Sequence, residues 1–448
     1  MYMRNNRKVK YLTISEFQNF TCNKEIASNY NNFKYIEQFD ALKNFIQATN
    51  ASGNDDALTF MDISHKKGYG EVITAKNYVG LIAMNDGTVI EILPKIAKGA
   101  TDKDVTKKEC RELLLKMLKT LKHMPFKSFN STELDISKYH LFEIFIKMFI
   151  NELKLLIQKG LKSDYILYQE NENFLKGKLH FTNHLKHNFI NQARFFVEYQ
   201  LYDLNRAENK LIKTALLYLL RFSKSNKNKM ELRILLDLFA DVDTSINIDT
   251  DFNLCSKTRD MNAYEQILQW CKVFLKGNTF TVNKGTHTAI ALLYDMNRLF
   301  EDYVAAELRK ALNHKRYALS AQDKSKHLFD NKHFSLRPDI VVKHIEKDKT
   351  TTTVLDTKWK LLKQGVTNYG ISQGDMYQMY AYGKKYHAKE VVLLYPKPED
   401  ENILKENINY DAKEQTYNVE VKIRFIDLLE KDEKHSITGL CEEFFPTP

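Results

Sequence analysis

The chain has 448 residues, 43% hydrophobic and 12% aromatic, which allows two or three domains with cores of their own and excludes a disordered chain. Lys+Arg 67 against Asp+Glu 57 leaves a formal charge of +10, a basic bias that suits a polyanionic partner without singling one out. The five cysteines (Cys22, Cys110, Cys255, Cys271, Cys441) are scattered and never form C-x-x-C, which argues against a disulfide framework or a zinc ribbon and for a reducing compartment.

Residues 1–104 read as a β-rich N-terminal domain. Two β-branched runs, 71–84 and 89–95, flank Asn85-Asp-Gly, a strong hairpin signal that fits a small barrel or curled sheet. A helical pattern over 33–48 precedes them, and the polar stretch 50–56 reads as an exposed loop. Lys66, Lys67 and Lys95 fit either plain loops or a partner-facing surface.

Residues 105–285 read as mainly helical with a short β segment. Thr106-Lys-Lys-Glu resembles a capping box opening a helix that runs to about Leu121. A strongly amphipathic helix over 140–160 closes on Gly160. Strands and turns surround Gly177 between 165 and 200, and helices follow over 209–222, 231–240 and 264–275, the last ended by Gly277. The basic linker 223–229, with Lys224, Lys227 and Lys229, is a solvated connection able to touch phosphate. His184 and His187 form H-x-x-H with no acid between them, so a solvated or DNA-facing turn is expected rather than a metal site.

Residues 286–448 read as a compact α/β unit. A long helix over 295–312 has Leu299, Tyr303 and Leu308 on its buried face. Two apolar runs, 340–342 and 353–355, are separated by the charged stretch 344–351 and read as adjacent strands. A helix over 376–386 and a strand over 391–395, stopped by Pro396, complete the order helix, strand, strand, helix, strand of a mixed sheet. The whole chain is therefore α/β, or α+β overall. No repeat or coiled coil is visible. The N-terminus shows no apolar signal-peptide core and patches such as 215–220 are too short to span a bilayer, so a cytoplasmic protein without a membrane partner is expected.

The chemistry concentrates where those two strands meet the helices. Asp339 opens the first strand, and Asp356 and Lys358 end the second on one face, with Thr357 turned the other way. Hydrolysis of a phosphodiester needs a nucleophilic water and stabilised charge on the phosphate, which carboxylate-bound Mg²⁺ supplies. Asp339 and Asp356 would be the hard oxygen ligands, the Thr357 carbonyl a candidate third, and Lys358 the cation that orients water or balances phosphate charge. Glu301, on the preceding helix, is a candidate third acid; the alternative is a surface charge like Asp295, Asp302 and Glu307 beside it. Gln378 and Tyr382 stand at i and i+4 on the following helix, where they could bind phosphate, hold Lys358, or simply pack with Tyr377, Met379 and Tyr380.

Pro338-Asp339, Asp356-Thr-Lys358 and Gln378-Met-Tyr-Ala-Tyr382 together resemble the PD-(D/E)xK nuclease superfamily, especially its RecB-like branch with a Q-x-x-x-Y helix. More closely, the chain resembles the McrC family, the nuclease subunits of McrBC-type modified-cytosine restriction systems. That likeness is carried by Asn297-Arg-Leu-Phe-Glu-Asp-Tyr-Val, Leu336-Arg-Pro-Asp-Ile-Val, Leu355-Asp-Thr-Lys-Trp-Lys and Asp375-Met-Tyr-Gln-Met-Tyr-Ala-Tyr. Outside this unit it includes Tyr78-Val-Gly, Ile90-Glu-Ile-Leu-Pro-Lys, Phe174-Leu-Lys-Gly-Lys-Leu and residues 205–220. It spans most of 70–396; the first 60 residues and the tail after Pro398 match nothing.

The resemblance implies a restriction-endonuclease-like fold in the C-terminal unit and a Mg²⁺-dependent endonuclease acting on double-stranded DNA. It also implies docking on a hexameric AAA+ GTPase of McrB type, whose GTP hydrolysis the N-terminal region would stimulate, with recognition of the modified cytosine left to that partner. No G-x-x-x-x-G-K-[ST] loop is present, so GTP would enter only through the partner. The rivals are a RecB-like nuclease acting alone or with a helicase, and a non-catalytic adaptor that binds DNA or the motor.

Overall fold

The computed structural model describes residues 10–50, 60–84, 86–96, 104–121, 125, 139–190, 192–255, 261–276, 280–281, 289–345, 350–398, 401–405, 408–412, 418–429 and 432–446. Residues 51–56, Asn85 and Gly277, and the side chain of Thr106, all singled out above, lie outside the described residues. The chain divides into two compact units that interleave along the sequence. One comprises Met1–Tyr11, Ile82–Val89 and Tyr139–Leu292; the other comprises Leu12–Leu81, Ile90–Lys138 and Leu293–Pro448. Each unit thus draws on separated stretches of the chain. A five-stranded sheet has the order Lys10–Ser15, Thr88–Leu93, Tyr78–Met84, Ala289–Asp295, Phe280–Thr281.

The first unit is largely helical. Leu141–Lys159 begins after His140 and stops at Gly160, whose φ of 89° a side chain would resist. Its Phe145 packs on Trp270 of Asn262–Lys276, with ring centroids 6.1 Å apart, and Ala207–Phe222 lies against the same helix. The linker read over 223–229 is shorter than expected, because Ser225 already caps a helix that runs Asn226–Asp237. The H-x-x-H pair is not a turn but part of the helix Phe181–Asn188. His184 accepts the Phe196 N–H at 3.2 Å and stacks on Phe195, and His187 stacks on Phe196, so both rings cover the strand Phe195–Asp203.

In the second unit, N-terminal residues form a four-stranded sheet in the order Phe33–Tyr35, Asn19–Thr21, Gly70–Ala75, Met61–Lys66. The helix expected over 33–48 starts later, at Phe39, because Phe33–Tyr35 pairs in parallel with Asn19–Thr21. The run 71–84 is likewise two strands, Gly70–Ala75 and Tyr78–Met84, assigned to different sheets. Lys66 does not face outward alone: it donates to Asn19 Oδ1 at 2.9 Å.

The C-terminal part of this unit is a six-stranded mixed sheet, in the order Tyr317–Ala321, Ile340–Ile345, Thr350–Thr357, Glu390–Pro396, Val419–Ile426, Asn409–Ala412. Its three inner pairings are one antiparallel (340–345 with 350–357) and two parallel, as the near-continuous apolar runs require of strands buried on both faces. The helix Gln373–Tyr386 is the crossover joining the two parallel strands Thr350–Thr357 and Glu390–Pro396. It lies close on the sheet at Gly383, where a Cβ would stand 2.6 Å from Val419 Cγ1. The tail after Pro398, unmatched from sequence, supplies the strands Asn409–Ala412 and Val419–Ile426 and the helix Ile437–Phe444. None of the helices among the described residues is long and apolar enough to cross a membrane.

Candidate active site

Strand register does the first part of the work. Ile340 faces Leu355 in the antiparallel pair, so Asp339, one residue before, comes level with Asp356 at the same end of the sheet. Lys358 continues past the strand end, its N–H donating to Leu394 O at 2.8 Å, which extends the pairing of Asp-Thr-Lys with the neighbouring strand. Helix Met296–Ala311 begins at an Asp295 cap whose side chain accepts the Asn297 N–H at 2.8 Å, and presents Glu301. Its Leu299, Tyr303 and Leu308 are buried as the period demanded.

Two linked networks result. In the first, Asp339 Oδ2 accepts the Thr357 N–H at 2.7 Å and the Thr357 hydroxyl at 2.8 Å. Thr357 therefore does not simply turn away from the site; it fixes the orientation of Asp339. Gln322, in a left-handed conformation with φ of 53°, donates its amide to Glu301 Oε1 and, at 3.4 Å, to Asp339 Oδ1. Glu301 thus joins Asp339 through an amide rather than directly. In the second network Lys358 Nζ lies 2.6 Å from Asp356 Oδ2 and 3.7 Å from Asp375 Oδ1, and donates to Gln378 Oε1 at 3.4 Å. Gln378 in turn donates to the Tyr382 hydroxyl at 2.6 Å. Tyr382 is buried in the sheet–helix core, so it packs and orients Gln378 at once.

The electrostatics are those of acids crowded in a dry corner. Asp356 is 1% exposed, and its Oδ2 makes no well-aligned hydrogen bond among the described residues. Its contact with Lys358 is an ion pair whose closeness, 2.6 Å, is real but whose angle is poor. Burial, reinforced by the neighbouring Asp339 charge, pushes the Asp356 carboxyl up to about 7 against the pull of Lys358. Burial and the Asp339 charge likewise push Glu301 up to about 7, opposed by the Gln322 hydrogen bond. Asp339 is raised by burial and restrained by the two Thr357 bonds. Burial draws the Lys358 ammonium down, but the attraction of Asp356 outweighs it and holds the group above its ordinary value. Burial and the Asp356 charge push the Tyr382 phenol up to about 12.

The six candidates fall into two bonded groups, Glu301 with Asp339 through Gln322, and Asp356, Lys358, Gln378 and Tyr382 in a chain, brought to the same sheet end by strand register. Among the described residues no three His, Cys, Asp or Glu side chains stand close enough to hold an ion as a ready-made cluster. Mg²⁺ does not require one: it keeps several waters and is held by one or two carboxylates together with substrate phosphate. Asp339 Oδ1, with one long amide contact, and the poorly bonded Asp356 Oδ2 fit that demand. Sequence reasoning missed Gln322, whose only signal was its place one strand before Asp339. It also missed Glu16, which accepts the Trp359 indole N–H at 2.9 Å across 343 residues of chain and has no local signature.

The chain is a mixed α/β protein in which buried acids and one lysine meet at adjacent strand ends. A family model described as McrBC 5-methylcytosine restriction system component matches residues 73–396, and the chain belongs to that family. In a refined half-complex from the tetradecameric assembly of Thermococcus gammatolerans McrB AAA+ hexamers with bound McrC, one chain is similar with a TM-score of 0.63 and 19% identity, covering 95% of this chain and 97% of that chain. At that identity the likeness establishes the fold. A chain of the Thermococcus gammatolerans McrBC complex is similar over 67% of this chain and 88% of its own, with a TM-score of 0.45 and 19% identity. The comparison with curated proteins gives no match.

Proposed function

We propose that this chain is the DNA-cutting subunit of a GTP-dependent restriction complex directed at modified cytosine. The observation that carries the proposal is the meeting of Asp339, Asp356 and Lys358 at one sheet end, with Glu301 and Gln378 bonded into the same networks. The arrangement supports a PD-(D/E)xK reading, and the family match supplies the biological setting. Asp339, Asp356, Glu301 and the Thr357 carbonyl are the groups available to Mg²⁺, which when bound would stabilise charge on the phosphate and make water a better nucleophile. Lys358, steadied by Asp356 and Gln378, places an ammonium where a non-bridging phosphate oxygen or the attacking water can meet it. Thr357 keeps Asp339 from rotating, and Tyr382 keeps the Gln378 amide oxygen toward Lys358.

The partner would be an AAA+ GTPase of McrB type, because the neighbouring fold is that of a complex of McrB AAA+ hexamers with bound McrC. Purified chain, partner, GTP, Mg²⁺ and modified-cytosine DNA should yield double-strand cuts, and Asp356→Ala should yield none. Cutting of linear DNA by the chain alone with Mg²⁺ would favour a RecB-like nuclease instead. Restriction that persists in Asp356→Ala would reduce the chain to an adaptor.

A further inference from the structure

Past the end of the strand Thr350–Thr357, the chain runs on from Lys358 into the wall of a cavity. Trp359, Lys360 and Lys363 line this cavity of about 880 Å³ together with Glu16, Phe17, Lys95 and Tyr369, all within the second unit. Three features mark it as a built site. Glu16 is 2% exposed, and its Oε1 finds no hydrogen-bond partner among the described residues, although Oε2 is held by Trp359. A buried, half-satisfied acid in a cavity wall is a polar group left for something else to bond. Three lysines, Lys95, Lys360 and Lys363, line the same cavity, so the lining carries net positive charge. Phe17 and Tyr369 hold φ of 60° and 56°, conformations that bulky side chains avoid and that tend to persist at ligand clamps.

The ligand must be anionic to suit the lysines, flat to suit the aromatic rings, and polar-edged to suit Glu16. We propose that this cavity binds a nucleotide, its phosphate on the lysines and its base against the aromatic side of the wall with an edge toward Glu16. Burial pushes the Glu16 carboxyl up to about 8, so at neutral pH, with Oε2 accepting from Trp359, the unpartnered Oε1 has an O–H to donate to a base edge. Tyr369 reaches the wall through a loop that Lys360 closes by donating to Gly370 O. The nucleotide has two sources, a unit of a DNA strand lying across the adjacent corner or a free mononucleotide. Only the first rests on the proposed cutting role.

Trp359 is one of two tryptophans, and the other, Trp270, is fully buried, so quenching by an added ligand reports on the cavity. The full chain in EDTA is titrated with 5′-phosphorylated dT10, with dTMP, and with inorganic polyphosphate as a non-nucleotide polyanion. Saturable quenching by dT10 is expected, weakened about tenfold in Lys363→Glu, an exposed position whose change leaves the fold intact. The same variant should lose no thermal stability. Stronger binding of dT10 than dTMP identifies a strand; equal binding identifies a free nucleotide. An absence of quenching, equal quenching by polyphosphate, or no effect of Lys363→Glu overturns the proposal. Mg²⁺-dependent cleavage by the complete complex is scored separately. Cutting without dT10 binding removes the nucleotide site and leaves the nuclease, and dT10 binding without cutting does the reverse.

Discussion

Two buried acids in this molecule have opposite surroundings. Glu143, 3% exposed at the start of helix Leu141–Lys159, is saturated. It accepts from the Tyr11 hydroxyl, the Ser223 hydroxyl, the Lys224 and Ser225 N–H groups and the Asn228 amide, and so ties strand, helix and helix cap together. Asp356 is buried still deeper, yet has one poorly angled ammonium neighbour, a second carboxylate nearby and an oxygen left over. A buried charge that is fully bonded holds a fold together; one left under-bonded is held by the fold at a cost and is free to bind something. Burial alone therefore does not mark function. The count of partners does.

The sharpest way to break this contrast is to neutralise both acids. Asp356→Asn should lower Mg²⁺-dependent cleavage about a thousandfold, since several kcal/mol of transition-state stabilisation goes with a metal ligand. Its melting temperature should stay level or rise, because the substitution relieves a desolvated charge beside Asp339. Calorimetry together with cleavage assays reads both; a lower melting temperature would make Asp356 structural. Glu143→Gln should do the converse, costing about 3 kcal/mol in urea unfolding as charge-assisted hydrogen bonds are lost. Cleavage per folded molecule should be kept.

Glu16 tests the contrast through pH. Its folded carboxyl, raised to about 8, holds a proton that the unfolded chain has given up above its ordinary value of 4.5. Stability from this group is present at low pH and is lost as pH rises between those values, because the native state binds more protons there. Wild type should lose on the order of a few kcal/mol relative to Glu16→Gln between pH 5 and pH 8. Parallel unfolding curves for the two proteins across that range would show that Glu16 is ionised and solvated.

Smaller effects are expected further along the Lys358 network. Gln378→Ala removes an acceptor that steadies the ammonium and should reduce cleavage about tenfold without altering the fold. Tyr382→Phe keeps the ring in the core and loses only the hydroxyl that Gln378 donates to, so a decrease of about threefold is expected. A loss in Tyr382→Phe as large as that in Asp356→Asn would mean that the phenol itself takes part in the chemistry.

Local patterns read correctly where one face of an element decides its fate. Helix Leu141–Lys159 and its Gly160 stop, helix Met296–Ala311 with buried Leu299, Tyr303 and Leu308, and the strand pair around Asp339 and Asp356 all follow from apolar period and capping. Reading failed where pairing partners are remote. Residues 33–35 carry a helical pattern but are captured as a strand by Asn19–Thr21, and the tail strand Val419–Ile426 joins Glu390–Pro396. The H-x-x-H turn became a helix because its rings find Phe195 and Phe196 on a later strand.

The sequence by itself determined the ingredients and the local directions at the site. Asp356 and Lys358 share one strand end, and Gln378 and Tyr382 share a helix face, because periods of two and 3.6 are properties of the backbone. What only the tertiary structure decided is how those groups are partnered: Gln322 between Glu301 and Asp339, Thr357 on Asp339, and Glu16 under Trp359. These contacts join residues from 17 to 343 positions apart, and no period or cap encodes a meeting at that range. It is settled by which apolar surfaces pack together, and the same packing leaves Asp356 buried without enough partners.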